Sequence, residues 1–323
     1  MPTFARIRVR ALAKINLDLR ILNKRPDGYH ELRTIFQTVS LADTLEIEFE
    51  RGRTRIEIKS DLNISGNIIE KAAHRALEAT GRTGRVGFVL QKRIPLGGGL
   101  GGGSSNAAAV LLGLPALVGK TLPLPKLIEL ASELGSDVPF FLLGGAALGL
   151  GRGTELYPLP EPPARPALIV CPEIHSSTAE AYAALGRKES PSPPAGIVNN
   201  FQQLVWASAR GLETGGPAFE NDFEEVVFRR HPQLKSIQRK LLRQGAAEAR
   251  MSGSGSSIFG IFEDRALRDR AAEAFRSSQE NSPRLRVYPV TMVSRSRYHA
   301  LWRRQLAAFG KWTLWPPRDQ YAK

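Results

Sequence analysis

Cysteine is almost absent from this chain of 323 residues. Cys171 stands alone, so no internal disulfide framework can form, and a single thiol fits a reducing compartment. Histidine is scarce too. His30, His74, His175, His231 and His299 are scattered without metal-ligand spacing, which argues against a zinc site. No apolar run reaches the length of a membrane span. Val110–Gly119 and Leu142–Gly151 are the most apolar stretches, and both are short and interrupted by Gly or Pro. The first residues, PTFARIRVRALAKINLDL, lack the unbroken apolar centre of a signal peptide, and their alternation reads as a strand. Together these absences lead us to expect a cytoplasmic protein.

Acidic residues are the other shortage. The formal net charge is +14, and residues 79–128 hold no Asp or Glu at all. Such a charge favours anionic partners, whether nucleotides, nucleic acid or a membrane surface, and does not choose among them. The distribution is more telling, because the acid-free stretch encloses the most glycine-rich loop in the chain. Hydrophobic content of 42% with 24% charged residues is that of a folded globular protein rather than a disordered one.

The length allows two packed domains. Residues 5–22 alternate as a half-buried strand, and the turn RPDG follows at 25–28. LADTLEIEFE and RTRIEIKS look like a hairpin around Arg51 and Gly52. IIEKAAHRALEAT has helical periodicity and stops at Gly81, and VGFVLQKRIP reads as a strand. Five prolines between residues 158 and 166 mark the expected domain boundary, and ESPSPPAG at 189–196 reads as an exposed loop. Helices are expected near 199–209, 233–244 and 265–276, with a strand–loop–strand at EARMSGSGSSIFGIFE and a last strand at RLRVYPVTMV. Strands and helices interleave throughout, so the class is α+β. The expected units are 1–160, 167–294 and a basic, aromatic extension at 295–323. In that extension a helix near 296–308 would lay Tyr298, Leu301, Trp302 and Leu306 on the protein body. A short arm containing Trp315 would follow, adding buried area without chemistry.

The loop comprises Pro95, Leu96, Gly97, Gly98, Gly99, Leu100, Gly101, Gly102, Gly103, Ser104 and Ser105, and it opens an Ala-rich helix. Glycines at a helix mouth let backbone amides crowd around a polyphosphate, and the helix N-terminus adds partial positive charge. Serines are expected at the N-cap. A Walker A loop would need Lys after the last glycine, where Ser104 stands. Gly97, Gly99 and Gly102 match the dinucleotide fingerprint formally, yet no acid follows within the next ~20 residues to hold a ribose. Asp137, between a helix ending at Gly135 and the apolar run VPFFLLGG, reads from its surroundings as a helix cap or a chemical group. Lys14, Asn16 and Asp18 fall on one face of a strand, where the plain reading is exposure to solvent. Tyr29 and His30 could be surface residues flanking a loop, and the glycine segment MSGSGSSIF at 251–259 a plain hairpin turn.

The sequence PLGGGLGGGSSNAA resembles the phosphate-binding motif of the GHMP kinases. Three further segments resemble the family in the expected order: AKINLDLRIL with RPDGYHEL, the run around Gly135, Asp137, Val138, Pro139 and Phe141, and MSGSGSSIF. The likeness runs from about residue 5 to about 293, and the extension exceeds it. The resemblance implies a ribosomal-protein-like N-terminal domain, a ferredoxin-like C-terminal domain, and phosphoryl transfer from ATP with Mg²⁺. It makes Asp137 the general base and places Lys14 beside it, where an ammonium would help a hydroxyl lose its proton. The residues from Pro95 to Ser105 would hold the triphosphate, with Ser104 or Ser105 reaching the metal and no dedicated protein metal cage. The PDGYH segment points to a branch whose substrate carries a cytidyl diphosphate, rather than to the homoserine or mevalonate kinases. Asn16 would orient the substrate's polar groups, Tyr29 would stack on cytosine and His30 hydrogen-bond to it. Phe36, Thr178 and Tyr182 match further substrate-side positions. NDFE at 221–224 reads as structural. Neither nucleic acid nor a membrane is expected as a partner.

Overall fold

The computed structural model describes residues 4–61, 67–161, 163–174, 176–187, 219–277, 285–310 and 315–317. The expected loop at 189–196 and helix at 199–209 lie outside the described residues. Two sheets with helices against them make up the described chain. Six strands form the first sheet: β1 (Phe4–Lys24), β2 (His30–Arg51), β3 (Arg55–Ser60), β4 (Gly84–Gln91), β5 (Ala146–Leu150) and β6 (Glu155–Pro158). The second has β7 (Pro166–Pro172), β8 (Glu248–Met251), β9 (Ile258–Ile261) and β10 (Leu285–Thr291), in the order β10-β7-β9-β8.

The long strand β2 organises the first sheet. One edge pairs antiparallel with β1 along nearly its whole length. The other is shared, Thr34–Gln37 with β5 and Thr44–Arg51 with β4. The expected hairpin between β2 and β3 does not form. β3 pairs parallel with β4, and β4 lies between β3 and β2. The physical reason is the crossover through α1 (Ile68–Thr80), which delivers β4 into the gap that a direct hairpin would have closed. α1 begins where Asn67 accepts the Ile69 amide and ends at Gly81, whose φ of 61° supplies the left-handed cap.

α2 (Gly102–Leu117) is buried on almost every side, between α1, α3 (Leu124–Leu134), α4 (Val138–Leu143) and the strands β1 and β2. Its small side chains make that possible. At Gly113 an added Cβ would sit 3.1 Å from Ile47 Cδ1. The core of this half continues into the extension, where α9 (Arg295–Gln305) buries Tyr298, Trp302 and, just beyond its end, Leu306. The second half packs α5 (Thr178–Leu185), α6 (Phe223–Arg230), α7 (Pro232–Arg243) and α8 (Arg265–Ser277) with its sheet. β1 joins the halves. Its Leu19 exchanges backbone hydrogen bonds with the Glu220–Asp222 segment, at 2.8 and 2.9 Å. The proline-rich connection runs from β6, ending at Pro158, to β7, starting at Pro166.

Candidate active site

Lys14, Asn16 and Asp18 stand where β1 passes between the halves, and the solvent-facing reading of them is overturned. They are only 3%, 3% and 1% exposed. A buried polar side chain needs partners, and each has them. Lys14 Nζ donates to Asn16 Oδ1 at 2.7 Å, lies 3.3 Å from Asp137 Oδ2 and sits 5.5 Å over the Phe36 ring. Asn16 Nδ2 donates to Thr34 Oγ1 at 2.8 Å. Asp18 accepts the Glu220 amide at 3.0 Å and faces Arg33 Nη2 at 3.3 Å. Burial raises its pKa, while that amide and the guanidinium oppose the rise. Register shifts at Leu12/Lys14 and Asn16/Asp18 bracket this segment, and such bulges re-aim side chains.

Asp137 occupies the residue before α4, yet its carboxylate makes no capping bond. The cap reading is corrected accordingly. Pro139, at the start of α4, brings no N–H to be capped, and the carboxylate turns to Lys14 instead. Its side chain is 33% exposed, against 4% for Lys14, so the pair has one buried and one open member. The open member faces a cavity of about 390 Å³, whose wall also carries Asn16, Phe36, Gly97, Gly99 and Gly101.

The glycine loop reaches this cavity through a repeated backbone reversal. Gly97, Gly99 and Gly101 have φ of 65°, 74° and 69°, the kind of alternation that forms an anion-binding nest of amides. The N-cap of α2 is Gly101 rather than a serine, with no side-chain capping bond, so the first-turn amides stay available to a ligand. Ser104 and Ser105 lie within that turn. Ser105 is buried and donates from Oγ to the Leu12 carbonyl at 2.7 Å, whereas Ser104 is partly exposed. Leu100 is buried, and its carbonyl accepts the Lys14 amide at 3.0 Å. Pro95, Gly98 and Gly102 are also buried, while Leu96, Gly97 and Gly103 face outward. Gly99 cannot be replaced freely: an added Cβ would lie 2.0 Å from the Ser252 carbonyl oxygen.

That carbonyl belongs to the second glycine segment, which grips the first. Ser252 Oγ donates to Gly99 O at 2.9 Å, and the Ser257 amide to Gly98 O at 3.4 Å. Asn221 holds the second segment by donating to the Met251 and Gly253 carbonyls, both at 2.8 Å. Glu224, from the same NDFE run, accepts the Met251 amide at 2.7 Å.

On the substrate side, Phe36, Thr178 and Tyr182 line the cavity. Thr178 Oγ1 shares a hydrogen bond with Ser254 Oγ at 2.7 Å. Burial pushes the Tyr182 hydroxyl up to about 12, and the charge of Asp137 adds to the shift. Tyr29 and His30 stand behind the wall rather than in it. His30 stacks on Tyr182 at 4.5 Å, and burial, with the charge of Lys24, lowers its pKa. Tyr29 is half exposed beneath the Arg152 guanidinium, 3.6 Å from its ring centroid.

Several lining residues had no signal in the sequence. Arg152 and Gly153, from the turn between β5 and β6, and Ser176, before α5, all face the cavity. Asp43 was also missed. Fully buried, it accepts from the Arg93 and Ile94 amides, both at 2.8 Å, from Lys92 Nζ at 2.7 Å and from Asn106 Nδ2 at 3.0 Å. It thereby ties the segment between β4 and the loop to the helix after it. An acid early in the otherwise strand-like run LADTLEI was the available hint.

This geometry has counterparts in known proteins. The family model described as GHMP kinases N terminal domain matches residues 67–145, and that described as GHMP kinases C terminal matches residues 207–281. A 4-diphosphocytidyl-2-C-methyl-D-erythritol kinase of Solibacter usitatus is 52% identical over 99% of both chains. A solved structure of 4-(cytidine 5'-diphospho)-2C-methyl-D-erythritol kinase superposes with a TM-score of 0.72 at 37% identity, covering 89% of this chain and all of the other. A homoserine kinase structure from Cytophaga hutchinsonii shares the fold at a TM-score of 0.64 and 20% identity, covering 91% of this chain and 96% of the other. The chain belongs to the GHMP kinases, and within them to the family of these 4-diphosphocytidyl-2-C-methyl-D-erythritol kinases.

Proposed function

We propose that this chain transfers the γ-phosphoryl group of ATP to the 2-hydroxyl of 4-diphosphocytidyl-2-C-methyl-D-erythritol, in the non-mevalonate route to isoprenoid precursors. The observation that carries the reading is the 3.3 Å Lys14–Asp137 pair, open on one side to the cavity that the glycine nest enters. The amides of the loop and the start of α2 hold the triphosphate and neutralise charge spreading over the transferred oxygens. The substrate hydroxyl approaches Asp137, which takes its proton while the oxygen bonds to the γ-phosphorus. The bond to the β-phosphate oxygen breaks, and ADP leaves. Lys14 steadies the carboxylate and the forming alkoxide. Asn16, fixed by Lys14 and Thr34, orients the acceptor. The open end of the cavity takes the cytidyl diphosphate, with Phe36, Thr178 and Tyr182 along its path and Tyr29 and His30 toward the base. Arg152, stacked on Tyr29, is placed to meet diphosphate oxygens.

Among the described residues no group of three His, Cys, Asp or Glu side chains could hold a metal ion. Mg²⁺ would arrive on the nucleotide, since Mg²⁺ at such sites is held by phosphates with one or two protein oxygens. Ser104 is the candidate oxygen, because it is partly exposed at the mouth of α2 whereas Ser105 is buried. The ion would neutralise charge on the β and γ phosphates. We read 1–160 as the nucleotide-binding and catalytic unit, 167–294 as the unit completing the cleft, and 295–323 as an extension. Among the described residues no helix is long and apolar enough to cross a membrane. We place the reaction in the cytoplasm, a reading supported by the single, buried cysteine.

A coupled ADP-release assay across candidate alcohols tests the assignment. Turnover is expected on the cytidyl substrate and not on homoserine or mevalonate. The reverse pattern would overturn the substrate while sparing phosphoryl transfer.

A further inference from the structure

α4 spans six residues, about 9 Å at the usual helical rise. A helix end leaves carbonyls without partners, and a helix this short has little of its own hydrogen bonding to hold it. The Gly144 amide returns to Phe140 O at 2.8 Å, but the next amide, of Gly145, donates to Thr38 Oγ1 at 3.0 Å and so turns away from the helix. The carbonyls of Phe141, Leu142 and Leu143 are met from elsewhere. Tyr298 Oη donates to Phe141 O at 2.6 Å, Trp315 Nε1 to Leu142 O at 2.7 Å, and His299 Nε2 lies 2.7 Å from Leu143 O. Three consecutive carbonyls thus receive three side-chain donors, all from the C-terminal extension.

The donors also brace one another. His299 stacks on Trp315 at 4.9 Å, and Tyr298 meets Trp315 edge-on at 6.4 Å. The Tyr298 ring occupies the space beside Gly144, where an added Cβ would lie 2.2 Å from Cδ1. Burial pushes the His299 imidazole down to about 4, despite the Leu143 carbonyl pulling the other way. The ring is therefore neutral near pH 7. Since a carbonyl only accepts, Nε2 carries its hydrogen.

At the other end of the same short helix stands Asp137. We infer that Tyr298, His299 and Trp315 are positioning residues, which set the Asp137 carboxylate against Lys14 by fixing the far end of α4. The extension thus does more than bury apolar area. A short rigid element held at both ends transmits displacement, and misplacing a reacting group by about 1 Å can cost ~10²-fold in rate. The inference rests on the reading of Asp137 as proton acceptor.

The test is a double-mutant cycle in the full chain with ATP and the cytidyl substrate. Tyr298→Phe/Trp315→Phe removes two donors and keeps an aromatic ring at each place. It is expected to lower kcat ~10-fold with KM for ATP changed less than about twofold. In the Asp137→Asn background, with residual turnover followed by radiolabelled phosphate, the same pair should change the rate by less than about twofold, because the group they position is gone. Equal proportional losses in both backgrounds, or an unchanged kcat with Asp137 present, would sink the inference. Trp315→Phe alone, at a partly exposed residue, replaces the pair if the double variant does not fold. Near-full turnover of Asp137→Asn by itself would refute the reading of Asp137, a result separable from either outcome for the extension.

Discussion

The segment Pro95–Ser105 runs into a helix, whereas Met251–Phe259 runs between two antiparallel strands. Both are rich in glycine and serine, and each has glycines in the left-handed region. Their polar groups are used differently. The second segment spends its own on holding itself and its neighbour. Ser252 and Ser257 pair through backbone at 2.9 Å, Gly255 donates to Ser252 O at 3.1 Å, and the Met251 and Gly253 carbonyls are taken by Asn221. The first opens onto the uncapped start of α2, where amides point to whatever anion sits there. Composition does not separate a cradle from a brace; the element that follows does.

The largest expected effect separates both loops from the chemistry. Asp137→Asn should lower kcat by ~10²-fold or more while ATP affinity, read by calorimetry, stays nearly intact. Equal losses in turnover and ATP affinity would mean that Asp137 helps to build the cradle. A smaller effect ranks the loops. Gly99→Ala forces a side chain onto the Ser252 carbonyl at φ 74°, so ATP affinity should fall by more than about tenfold. Gly253→Ala pays the same left-handed penalty at φ 59°, but its nearest neighbour, Gly99 Cα, is 3.3 Å away, so a loss of roughly three- to tenfold is expected. The opposite ranking in calorimetry would make the second segment the cradle. The smallest effect concerns what holds the brace. Asn221→Ala strands two buried carbonyls and should cost ~1–3 kcal/mol in urea unfolding. Nucleotide affinity should change less than it does for Gly99→Ala. A loss of ATP binding with unchanged stability would show that Asn221 acts at the phosphates instead.

The sequence could set much of what has a local cause, although the expected serine cap of α2 and the cap reading of Asp137 did not hold. Period and cap residues placed β1, α1 and most later elements, because alternation, helical spacing and a left-handed glycine act within a few residues. The motifs around Lys14, Gly97–Ser105 and Asp137 were legible for the same reason, each being a contiguous string. Tertiary structure alone decided what distant strings do to one another. Strand β4 entered between β2 and β3, and nothing in either strand's pattern forbade the hairpin. Lys14 and Asn16, polar residues on a strand, were buried because partners from distant segments, Asp137 and Thr34, satisfy them. Arg152 came over Tyr29 from a turn, and Asp43 joined the segment between β4 and the glycine loop to the helix after it. The grip of Tyr298, His299 and Trp315 on α4 spans more than 150 residues of sequence. A hydrogen bond between such distant residues leaves no periodicity to read, since it depends on the path of the whole chain between them.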